Sequence, residues 1–190
     1  MVYSPPRTKR LSFNDLANFP DDGKRRELID GQVLKWDVPT YRHSFLMVAL
    51  SAEVRRFVRE HRLGHVAGGD MMVRLEQSEF DARGADIAFF QSGRQPRDLD
   101  AAATVNVPDF VVEIISPSDR ADRVMQKVSD WLRAGVRLLW YINPETATVT
   151  VYQGDRIRHV GSDETLDGGD VIPGLVIRLS DLLQELEEND

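Results

Sequence analysis

Three charged side chains stand where apolar ones would fold better. Asp86 lies in Gly84-Ala85-Asp86-Ile87-Ala88-Phe89-Phe90, Glu113 in Asp109-Phe110-Val111-Val112-Glu113-Ile114-Ile115, and Lys127 on the helix that follows. Glu113 interrupts a run whose apolar character on both faces marks a central strand packed between layers. A carboxylate in such a place is costly unless it meets a cation, a metal or several donors. Two interior carboxylates and a nearby lysine therefore predict a metal-dependent hydrolytic site; a structural salt bridge is the competing reading. Oxygen ligands suit Mg²⁺ or Mn²⁺ rather than zinc. Such an ion polarises a phosphoryl oxygen and acidifies a bound water. A lysine beside it can orient that water or stabilise charge developing on phosphorus.

Two more residues belong to the candidate set. His43 falls in the first turn of a long helix, on its apolar side. A helix N-terminus disfavours imidazolium, so a neutral hydrogen-bonding ring or an anionic partner is expected there. Glu27 precedes a hairpin turn, with Arg25 and Arg26 beside it; a surface ion pair is its simplest reading.

The elements that must position these groups are legible in outline. Ser12 caps a short helix to Asn18, with Asp15 completing a capping box. Asp30-Gly31 joins two short strands in a hairpin. Thr40 caps a helix to Glu60, whose apolar stripe runs through His43, Met47, Leu50, Val54, Phe57, Val58 and His61. Short strands follow at 64–67, 70–76 and 84–90, then a polar loop over 91–104. Residues 109–115, a helix capped by Ser118 or Asp119 and ending at Gly135, and a strand from Val136 to Ile142 make a βαβ unit with a right-handed crossover. On that helix Ala121, Val124, Val128, Trp131 and Leu132 form the apolar stripe, and Lys127 sits on its flank, where a long stem can reach a cleft. Strands at 147–152 and 156–160 form a C-terminal antiparallel meander, and an acidic helix starts at Ser180. Residues 1–11 read as a loose leader and 12–190 as one domain.

Composition narrows the class. The net charge of -7 supplies no global basic field for nucleic acid, so any such binding needs a local groove. Arg55, Arg56, Arg59, Arg94 and Arg97 are the local basic candidates. The absence of cysteine excludes disulfides and thiolate metal sites. No apolar stretch approaches a membrane span and the N-terminus lacks an apolar signal core, so a cytoplasmic protein without a membrane partner is expected.

The ordered set of Glu27-Leu28-Ile29-Asp30-Gly31, His43, Asp86-Ile87, Val112-Glu113-Ile114-Ile115-Ser116-Pro117-Ser118, Asp122 with Lys127, Gly135-Val136, Leu139-Trp140-Tyr141-Ile142 and Ile172-Pro173-Gly174-Leu175 resembles the Uma-two family of putative restriction endonucleases. The resemblance runs from about residue 12 to residue 185. It implies an α/β fold of the PD-(D/E)XK nuclease superfamily: a restriction-endonuclease-like mixed central sheet flanked by helices. It implies an endonuclease that hydrolyses phosphodiester bonds of DNA with Mg²⁺ or Mn²⁺, and it admits a homodimer. Asp86 would be the aspartate of the "PD" element and Glu113 the acid of the "(D/E)XK" element, both binding metal with help from the carbonyl of Ile114. Glu27, His43 and Lys127 match recurrent family positions and complete the expected catalytic set. The sequence departs at Ile115, where the pattern has its lysine, and Lys127 is the expected replacement. Asp109 follows a proline but is rejected as the "PD" aspartate, being four residues from Glu113 on one strand. The departure at Ile115 and the acidic balance keep a second reading open: a nuclease-fold binding or structural module without turnover.

Overall fold

The computed structural model describes residues 10–20, 25–75, 78–117 and 119–187. A mixed sheet of eight strands forms its centre. The first helix, α1 (Phe13–Ala17), carries the expected capping box between Ser12 and Asp15. Strands β1 (Arg26–Ile29) and β2 (Gln32–Lys35) form the Asp30-Gly31 hairpin. Both turn residues have positive φ, +48° and +72°, as a tight two-residue hairpin requires. Helix α2 (Tyr41–Glu60) starts at Thr40, whose hydroxyl accepts the His43 N–H at 3.2 Å. Its buried face runs through His43, Leu46, Leu50, Val54 and Val58, while His61 is exposed and stacks on Phe57.

Strand β3 (Gly64–Arg74) is continuous where two strands were expected. The interruption read at Gly68-Gly69 is a bulge. Gly68 pairs with Ile87 and Met71 with Ala85 of β4 (Ala82–Gln91), so Gly69 and Asp70 together stand opposite Asp86. A bulge re-aims the side chain beside it. Gly69 has φ +77°, and a Cβ on Gly68 would lie 2.9 Å from the Asp86 carbonyl oxygen. A Cβ on Gly69 would meet nothing within 4 Å, so its cost is purely one of backbone conformation. Gly69→Val is expected to lower stability by about 1–2 kcal/mol, read by urea denaturation; an unchanged midpoint would show that the bulge tolerates a side chain.

The second half follows the βαβ plan. Strand β5 (Phe110–Ile114), helix α3 (Ala121–Ala134) and strand β6 (Leu138–Asn143) place β5 and β6 parallel, with Glu113 opposite Tyr141. Gly135 ends α3 in the left-handed conformation. At the start of α3 the N-cap position is Arg120, with no side-chain cap; Ser118 lies outside the described residues, and Asp119 instead accepts the Ser116 N–H at 2.8 Å. Strands β7 (Thr148–Gln153) and β8 (Arg156–Val160) extend the sheet as the antiparallel meander. Strands β9 (Thr165–Asp167) and β10 (Val176–Arg178) make a small second sheet that was not foreseen, and α4 (Leu179–Glu187) closes the chain.

Two apolar layers sandwich the sheet. Leu46, Leu50, Val54 and Val58 of α2 pack with Val112 and Ile114 and with Leu182 and Leu183 of α4. Val111 and Leu139 point the other way, against Val128 and Trp131 of α3. Glu113 shares that second face, as strand alternation requires.

Candidate active site

The sheet forks at β4. Strand β3 takes one edge of β4 from Ala82 to Gln91. The other edge is divided: β5 pairs at Ile87–Phe89, and β1 only at Ala82. Between them, side chains take over the backbone donors. The Gly84 N–H donates to Glu27 Oε1 at 3.0 Å, and the Ile114 N–H to Asp86 Oδ2 at 2.8 Å. Asp86 and Glu113 stand one step beyond the last pair, Ile87 with Val112, so register brings the two acids together.

Lys127 closes the cluster. Its Nζ lies 2.7 Å from Glu113 Oε2 and 3.1 Å from Glu27 Oε1, and 5.4 Å from the centre of the Trp36 ring. Trp131 donates its indole N–H to Glu113 Oε1 at 2.7 Å. His43 Nε2 stands 3.4 Å from Asp86 Oδ2, the anionic partner its helix position called for. Glu27 is fully buried, so the surface ion pair read from sequence is corrected. All five expected site residues are thus buried, and the structure brings them together. Asp109 lies at the opposite end of β5, where it accepts the Gln91 N–H and faces Arg94.

Two buried charges at the site escaped sequence reading. Arg83 is wholly enclosed, with Nη1 2.8 Å from Glu27 Oε2 and Nη2 2.5 Å from Asp130 Oδ2. At about 100° per residue Asp130 lies roughly 150° from the centre of the apolar stripe, which predicts exposure. The buried set of α3 is instead Lys127, Val128, Asp130 and Trp131, while Ala121 is exposed. The helix is rolled toward its charged flank because Glu113, Glu27 and Arg83 wait there as partners.

These surroundings split the acids. Burial opposes charge on Asp86, but the His43 hydrogen bond, Lys127 and Arg25 outweigh it and bring its pKa down to about 2. Burial dominates at Glu113 and, with the negative charge of Asp86, pushes it up to about 7 despite Lys127. On Glu27 burial is outweighed by Lys127, Arg83 and Arg25, which hold the carboxyl below its usual range. Lys127 resists desolvation because Glu113 and Glu27 raise its pKa, so it remains an ammonium donor and not a base.

A cavity of about 20 Å³ opens among Asp86, Glu113, Ile114, His43, Lys127 and Arg25. That is room for one water or ion. Asp86 Oδ1 is buried there without a hydrogen bond, in an ion pair with Arg25 Nη1 at 3.2 Å. Hard oxygen donors around an under-bonded carboxylate oxygen fit magnesium or manganese. Among the described residues no three His, Cys, Asp or Glu side chains converge on one point; Asp86, Glu113 and Ile114 line the cavity together with Asp119. One or two carboxylates, completed by waters and phosphate oxygens, is the usual magnesium arrangement.

A forked mixed sheet with flanking helices makes a nuclease-like α/β fold. The sequence matches the Uma-two family, described as "Putative restriction endonuclease", over residues 12–180, and the chain belongs to that family. The fold is similar to the crystal structure of a putative nuclease from Anabaena variabilis, with a TM-score of 0.81 at 20% identity, covering 93% of this chain and 99% of that one. No curated protein matches the sequence. Among the described residues no helix is long and apolar enough to cross a membrane.

Proposed function

We propose that this chain is a Mg²⁺-dependent endonuclease that hydrolyses phosphodiester bonds of DNA, with Mn²⁺ able to replace Mg²⁺. The observation that carries the reading is Asp86 Oδ1, which makes no hydrogen bond and faces only the solvent-side cation Arg25 on a one-ion cavity beside Glu113. Asp86 and Glu113 would hold the ion, with the Ile114 carbonyl as a third oxygen. When bound, a divalent cation supplies charge against the phosphoryl oxygen and a more acidic water. Lys127, held as an ammonium between Glu113 and Glu27, orients the attacking water and stabilises charge developing on phosphorus. Glu27 keeps Lys127 in place, and His43 with the Ile114 N–H fixes the rotamer of Asp86.

Supercoiled plasmid and oligonucleotides incubated with Mg²⁺ or Mn²⁺ test the reading. Metal-dependent cleavage that a chelator stops is expected. Metal binding with no cleavage of DNA or RNA would favour the inert nuclease-fold module instead.

The charge state of Glu113 makes a further expectation. A carboxyl raised in the fold keeps a proton that the unfolded chain has released, so its contribution to stability declines as pH rises from 4.5 toward about 7. A cation at Glu113 must displace that proton. Mn²⁺ affinity, measured by calorimetry, should rise by up to about tenfold per pH unit below neutrality and level off above it. An affinity flat between pH 5.5 and 8 would mean that Glu113 is already ionised or does not bind the ion. Asp86 acts in the opposite sense: its stabilisation is present above 3.8 and is lost as pH falls toward about 2.

A further inference from the structure

Arg25 stands immediately before β1 and lines the same cavity as Asp86 and Glu113. Its Nη1 lies 3.2 Å from Asp86 Oδ1, an ion pair without a hydrogen bond. Its Nη2 donates to the Gly84 carbonyl at 3.4 Å, and the guanidinium carbon is 6.0 Å from the Trp36 ring centre. The other oxygen of Asp86 is committed to the Ile114 N–H and to His43. Oδ1 is therefore where a cation would add to Asp86, and a cationic side chain already stands there.

The three cations around the acids are not equivalent. Lys127 and Arg83 are buried and each bridges two carboxylates. The Arg25 side chain is 18% exposed, so it reaches the cavity from the solvent side. A divalent ion and a guanidinium cannot both crowd one carboxylate oxygen without strong repulsion. A guanidinium displaced by such an ion would stand beside it at the mouth, where a phosphate approaches. Its planar fork matches phosphate oxygens, which Lys does only as a point charge.

We propose that Arg25 is a substrate-binding residue that holds the place of the metal: it neutralises Asp86 in the metal-free protein, yields Oδ1 to the divalent cation, and then engages the scissile phosphate. The exchange moves no proton, since Arg25 is cationic throughout. It rests on the nuclease reading for its phosphate half and on the Asp86 geometry alone for its metal half.

Calorimetry with Mn²⁺ on wild type, Arg25→Ala and Arg25→Lys tests it, followed by titration of inorganic phosphate into the Mn²⁺-loaded proteins. Removing the competing charge is expected to tighten Mn²⁺ binding by about tenfold. Phosphate binding should fall by about tenfold in Arg25→Ala and recover in part in Arg25→Lys. A residue that merely braces the hairpin would lower the melting temperature without tightening Mn²⁺. Wild type and Arg25→Ala binding Mn²⁺ equally, or the variant binding it more weakly, would overturn the proposal while leaving the nuclease reading intact. Should Arg25→Ala fail to fold, Arg25→Gln keeps the length and removes the charge, and is read the same way. Tighter Mn²⁺ binding in a protein that cleaves no nucleic acid would uphold the exchange and remove the nuclease reading.

Discussion

Arg83→Met should lower the free energy of unfolding by about 3–5 kcal/mol, the usual effect of removing one partner from a buried ion pair. Arg83 is enclosed between Glu27 and Asp130, at 2.8 Å and 2.5 Å. Methionine fills much of the stem's volume but returns no donor, so Asp130 keeps only Gln126 and the exposed Arg133. Glu27 keeps Lys127 and the Gly84 N–H. Most of the loss should therefore trace to Asp130, and the double variant Arg83→Met/Asp130→Leu should recover part of it. Urea denaturation of the two variants checks this. A single variant as stable as wild type would show that the buried pair contributes nothing net.

Asp86→Asn and Glu113→Gln should each reduce metal-dependent cleavage by on the order of 10³-fold or more, equivalent to about 4 kcal/mol of transition-state stabilisation. Both replacements keep the size of the side chain and remove the charge that a divalent ion needs. In Asp86→Asn the amide cannot accept at both oxygens, so the Ile114 N–H and the cavity compete for one acceptor. Glu113→Gln can satisfy Trp131 or Lys127, not both. Because the two carboxylates act on one ion, the double variant should be little worse than either single one. Initial rates on plasmid with saturating Mn²⁺ measure all three. Cleavage surviving in either single variant would remove that residue from the catalytic set.

The same residues show what could be read before the structure. Glu113 was legible because a carboxylate inside Phe110–Ile114 has no structural excuse of its own, and strand alternation then gave its face. Thr40, Asp30-Gly31 and Gly135 were legible because caps and turns are local chemistry. The bulge was half legible: Gly68-Gly69 marked an interruption, but only pairing with β4 shows it to be a kink opposite Asp86 in a continuous strand. The roll of α3 was not legible, since the partner that buries Asp130 lies 47 residues away, on β4. Arg25 was hidden for a related reason. It sits beside Glu27 in sequence, yet its charge meets Asp86 across the fork. Two of the basic candidates for a nucleic-acid groove are engaged within the chain, Arg56 with Glu53 and Glu60 and Arg94 with Asp109.

Crystals of the protein soaked in Mn²⁺ and measured at the manganese absorption edge put the main idea to its plainest trial. One anomalous peak should lie within about 2.0–2.2 Å of oxygens from both Asp86 and Glu113, with Asp86 Oδ1 among them and the Arg25 guanidinium moved off it. A well-ordered site at millimolar Mn²⁺ with no peak between the two carboxylates, and Arg25 still on Asp86 Oδ1, would mean that these buried charges hold the fold together and bind no metal.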